Sequence, residues 1–149
     1  MNEQHEFLKL LKYSNELEEK NESLRHKDYE SFKLLLNFFA TIENNFHYLE
    51  KQEYIQLTKN FLADKINADD FSYSFIAIYE GINQKLSQLK TTESVELTNF
   101  LEPARPELGK LLASIYGYCD SFSQDIEISL SDEQELKNCA QLLLVKLQL

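Results

Sequence analysis

Residues 53–89 read EYIQLTKNFLADKINADDFSYSFIAIYEGINQKLSQL, and their apolar spacing decides the fold class. Tyr54, Ile55, Leu57, Phe61, Leu62 and Ile66 fall on one face of a helix, because side chains three and four apart are neighbours there. The polar break Asn67-Ala68-Asp69-Asp70 follows, and Asp69 or Asp70 suits the N-cap of a second helix. That helix carries Phe71, Phe75, Ile78, Ile82, Leu86 and Leu89. Gly81 inside it lowers helix propensity by about 1 kcal/mol relative to Ala.

The same period extends in both directions. Upstream, Phe32, Leu35, Leu36, Phe39, Ile42, Phe46 and Leu49 recur at helical steps after Asp28, a suitable cap. Residues 1–26 predict one amphipathic helix whose apolar stripe thins from Glu16 to Arg25, so its second half is expected to be exposed or frayed. Around residues 50–53 the pattern turns polar with neither Gly nor Pro, which suits a short loop or a continuous helix equally. Downstream, Lys90 to Ser94 reads as a loop and Val95–Leu101 as a short helical turn. Pro106 suits the first position of a helix carrying Leu108, Leu111, Leu112, Ile115, Tyr116 and Cys119. Residues 120–130 read as an extended connection. Ser131 with Gln134 then forms a capping box for a last helix bearing Leu136, Ala140, Leu143, Leu144 and Leu147. Five or six helices are expected, the last four within residues 53–149.

Composition agrees. The chain has 149 residues, the size of one domain, and 43% are hydrophobic, enough for a packed core. Three Gly and two Pro leave little turn chemistry for a many-stranded fold. The N-terminus lacks the basic start and apolar run of a signal peptide, and no stretch has the length of a spanning helix. A soluble, cytoplasmic protein is expected, or one of an organelle stroma if organelle-encoded.

Net charge is -10. Such a surface repels phosphate backbones and anionic membranes, so no direct nucleic-acid or membrane partner is expected, whereas a basic protein fits. Catalytic chemistry finds little support. His47 shares a helical face with Glu43, but no second carboxylate–histidine pair exists to complete a metal bundle. Cys119 and Cys139 sit on apolar faces without the basic surroundings that create a thiolate. Phosphate-binding glycine loops and nucleophile elbows are missing from the sequence. No enzyme activity, metal, cofactor or small-molecule ligand is expected.

The stretch between Lys110 and Lys137 stands out. It holds six acids, Asp120, Asp125, Glu127, Asp132, Glu133 and Glu135, and no Lys or Arg. Tyr116, Tyr118 and Phe122 are interleaved with them. Acids that speed encounter, beside aromatic anchors that supply affinity, suit a surface for a basic protein. A solvated loop with its aromatics in the core is the plainer alternative.

At residues 53–89 an apolar helix ends in F-L-x-x-K-I, followed by a polar break and then an acid and Phe71. This, with the closing SDEQELKNCAQLLLVKLQL, resembles the colicin D-type, or self-protective colicin-like, immunity proteins. The resemblance covers residues 53–149 and leaves residues 1–52 as a helical extension. It implies an antiparallel four-helix bundle that binds a basic, tRNA-cleaving toxin domain and covers its active site with acids in place of substrate phosphates. The implied contact region is the end of the third bundle helix and the loop after it: Tyr116, Tyr118, Asp120, Asp125 and Glu127. The alternative is a structural or assembly adaptor with no toxin partner, docking through the Phe32, Phe39 and Phe46 stripe of the extension.

Overall fold

The computed structural model describes residues 3–89, 106–124 and 130–148, and every element in them is helical. In chain order these are α1 (Glu3–Glu19), α2 (Leu24–Lys27), α3 (Tyr29–Leu49), α4 (Lys51–Leu62), α5 (Ala68–Leu89), α6 (Pro106–Gln124) and α7 (Leu130–Gln148). The all-α expectation holds, with seven helices among the described residues rather than five or six.

The surplus arises at the N-terminus, where the expected single helix over 1–26 is divided. Asn21 adopts φ 60°. Its N–H donates to the Glu18 carbonyl, and the Glu22 N–H to the Leu17 carbonyl. This pair of bonds closes a helix with a left-handed residue, a place usually taken by glycine and tolerated by Asn. The half expected to be exposed or frayed is exposed at Glu16, at residues 18–23 and at Arg25, while buried Leu17 and Leu24 pin it to the rest of the molecule. Asp64 repeats the device at φ 57° after α4, with its N–H on the Phe61 carbonyl and the Lys65 N–H on the Asn60 carbonyl. Asn and Asp thus end two helices in a chain poor in glycine.

Caps explain the other boundaries. Asp28 caps α3, its Oδ1 accepting from the Ser31 N–H at 3.2 Å and its Oδ2 from the Ser31 hydroxyl at 2.7 Å. These bonds hold the Asp28 carboxyl below its ordinary value of 3.8. A lowered carboxylate pKa gives stabilisation that is present above the unfolded value and lost as pH falls through the folded one. Asp28→Ala is therefore expected to lower the melting temperature at neutral pH. The gap from the parent should close only below pH 3.8, which thermal melts across an acid series would check. At α5 the cap is Asn67, whose Oδ1 accepts from the Asp70 N–H at 2.8 Å. The expected cap, Asp69 or Asp70, lies instead in the first helical turn.

Two further expectations are corrected. Residues 120–124 continue α6 as helix and are not part of the extended connection expected over 120–130. Helix α7 begins at Leu130, which puts Ser131 inside the first turn, and the Gln134 amide donates to Asn138 Oδ1 at 3.1 Å. The predicted Val95–Leu101 turn lies outside the described residues. Between α3 and α4 the break is a single residue, Glu50.

Contacts join α4 to α5, α5 to α6, α6 to α7 and α7 back to α4, closing a tightly packed four-helix core. Phe61, Phe71, Phe75, Leu112, Ile115, Leu136 and Leu143 fill it and are fully buried. Helices α1–α3 form the N-terminal extension. In it α3 packs on α5 and α6, and α1 on α3. Phe7 meets the rings of Phe38 and Phe39 edge-on at 5.7 and 5.4 Å.

Where α3 meets α6, Gly109 leaves room for the Asn44 side chain. A Cβ there would lie 2.1 Å from Asn44 Oδ1 and 2.8 Å from Asn44 Cγ. Gly109→Ala is expected to cost about 1–3 kcal/mol through overpacking. In an Asn44→Ala background the same change should become stabilising by about 1 kcal/mol, the helix-propensity gain. Denaturant unfolding of the four variants in the cycle measures this reversal. At Gly81, by contrast, a Cβ would meet nothing within 4 Å.

Candidate interaction site

Helices α5 and α6 carry most of the candidate site. Phe71, Phe75 and Ile82 turn one face of α5 into the core, while Leu112, Ile115 and Cys119 do the same for α6. The side chains just round each helix from these faces meet at the surface. Tyr79 stacks on Tyr116 with ring centroids 4.5 Å apart, and the Tyr116 hydroxyl donates to Glu80 Oε1 at 2.9 Å. That hydrogen bond is the main reason the Tyr116 phenol lies above the usual tyrosine range.

One turn beyond Tyr116, Asp120 reaches the beginning of α5. Asp69, Asp70, Tyr73, Glu80 and Asp120 line an open cleft of about 620 Å³, with Ile76 and Ala77 among its apolar lining. Four carboxylates and no Lys or Arg contribute to it. Its aromatic member, Tyr73, is 80% exposed. The cleft thus combines concentrated negative charge with a ring accessible from solvent.

The structure brings Tyr116 and Asp120 to this face and separates Tyr118 from it. Two positions from either, Tyr118 lies roughly 200° round the helix and is 38% exposed. Asp125 and Glu127 lie outside the described residues. Tyr73 and Glu80 were not singled out by the sequence reading. Their signal was available, since Tyr73 falls between Phe71 and Phe75 and must turn away from the face those two bury.

Beneath the site is a buried polar clasp. His47, near the end of α3, is 2% exposed. Its Nδ1 lies 2.8 Å from the hydroxyl of Tyr54 on α4, and its ring is 4.7 Å from that of Tyr79. Burial drives the Tyr54 phenol well above the ordinary tyrosine range, so it stays protonated. His47 Nε2 lies 3.7 Å from Glu43 Oε1, within charge range but beyond a hydrogen bond. Among the described residues, no group of three or more His, Cys, Asp or Glu is arranged to hold a metal ion. The Cys119 thiol is pushed up to about 11 by burial, with the neighbouring Ser72 hydroxyl pulling the other way. It is therefore a neutral core group at physiological pH. No described helix is long and apolar enough to cross a membrane.

The chain matches no family model, and no curated protein or solved structure is detectably similar to it.

Proposed function

We propose that the chain is an acidic immunity protein that binds and neutralises a basic, tRNA-cleaving toxin domain of the colicin D type. In this reading α4–α7 act as an antiparallel four-helix bundle, and no catalysis, metal or cofactor is involved. The observation that carries it is the α5–α6 cleft, where Asp69, Asp70, Glu80 and Asp120 surround the exposed Tyr73. A nuclease that grips RNA presents cationic side chains to phosphates, and carboxylates held on a rigid helical surface offer those side chains a substitute. Asp125 and Glu127 add negative charge along the sequence after α6, while Tyr116 supplies a ring beside Glu80. Binding covers the active site sterically, and the charges speed encounter in a salt-dependent way.

The test is inhibition of tRNA cleavage by a purified colicin D-type nuclease domain. Stoichiometric protection that weakens as salt rises is expected. Undiminished cleavage in the presence of excess protein at low salt would overturn the proposal and leave the assembly-adaptor alternative.

A further inference from the structure

A second concave surface lies in the N-terminal extension, away from the acidic cleft. Helices α1, α2 and α3 enclose an open groove of about 840 Å³. Its floor is apolar: Leu11, Leu24 and Leu35 are buried, Phe32 and Phe39 half-buried. Leu36 stands at its edge and is 50% exposed. Glu18, Glu19 and Glu22 line the α1 side and the following turn, with Arg25 the one basic residue in the lining. The corner is a built feature, because the left-handed Asn21 ends α1 between buried Leu17 and Leu24.

We infer that this groove receives a basic amphipathic helix of a partner protein. The apolar floor asks for hydrophobic anchors at one helical face, and the stretch from Phe32 to Phe39 is about two turns long, room for anchors at i, i+3 or i+4, and i+7. Glu22 already lies 3.8 Å from Lys27, and the Glu18 and Glu19 carboxylates ask for Lys or Arg flanking those anchors. The same carboxylates repel an anionic lipid surface. A second copy of this chain, at net charge -10, brings like charge to an acidic rim. The predicted docking stripe of Phe32, Phe39 and Phe46 is thereby revised: Phe46 belongs to the core, and Leu36 takes its place at the surface. This site is independent of the α5–α6 cleft and holds whether or not a toxin is the chain's target.

The test uses the full chain, isotope-labelled and observed by NMR, titrated with a synthetic amphipathic leucine–lysine peptide and with a leucine–glutamate peptide of identical apolar spacing. Saturable shifts at Leu11, Leu24, Leu35 and Leu36 are expected with the lysine peptide. Binding should be at least about tenfold weaker for the glutamate peptide and for Leu36→Glu. It should be unchanged in Asp120→Lys, which alters only the other cleft. Leu36→Glu changes an exposed side chain, and an unchanged circular dichroism spectrum shows that it folds. Absent shifts, shifts confined to α5 and α6, or binding indifferent to Leu36→Glu would overturn the inference. So would sedimentation showing self-association abolished by Leu36→Glu, which would assign the groove to a second copy.

Discussion

Phe71→Ala is expected to destabilise the protein by about 3–5 kcal/mol, the largest loss from a single substitution proposed for this chain. Phe71 opens the core face of α5 and is fully buried. Its ring stacks on Phe61 at 4.4 Å and lies 5.8 Å from Phe75. Removing it takes away the transfer energy of the ring and leaves a cavity bounded by α4 and α5, whose connection is short and fixed by the Asp64 turn. Little collapse can fill such a space. A fall in melting temperature on the order of 10 °C follows for a chain of this size. Tyr73→Ala, two residues along, supplies the control: its ring is exposed, and the change should stay within about 0.5 kcal/mol. Denaturant unfolding of both variants reads the contrast, and equal losses would show that the core face of α5 is wrongly placed.

Reversing charge at Asp69 and Asp120 together, each to Lys, is expected to weaken binding of a basic nuclease domain on the order of 100-fold. Both side chains are exposed and line the same cleft. The association rate should carry much of the loss at low salt, because steering depends on the summed field. Raising salt should narrow the gap between parent and variant. Stopped-flow association with a purified colicin D-type nuclease domain separates these effects, with thermal melting to confirm that the fold survives. An unchanged rate would remove the cleft from the toxin contact.

The helical faces were legible because they need only a period. Leu108, Leu112, Ile115 and Cys119 in α6, and Leu136, Ala140, Leu143 and Leu147 in α7, are buried where their spacing placed them. Pro106 and Asp28 also marked boundaries correctly, since their chemistry acts on the nearest turn. What escaped was the ending of helices without glycine. Asn21 and Asp64 give no strong signal by composition, and their left-handed conformation depends on the flanking leucines and phenylalanine being buried. The break at Glu50 was left open for a similar reason. At the surface, acids at the start of α5 were read as caps because their association with Asp120 arises only when α5 and α6 pack together.

The His47–Tyr54 clasp has a consequence for the order in which the molecule assembles. Its partners are seven positions apart, so closing that loop has a small entropic cost compared with the long separations elsewhere. The α3–α4 corner can consequently organise before either helix finds its distant neighbours. Tyr79 and then Tyr116 can add to an aromatic column whose base already exists. A joint formed early would give the N-terminal extension a role in guiding the four-helix core to its native arrangement, as well as decorating it.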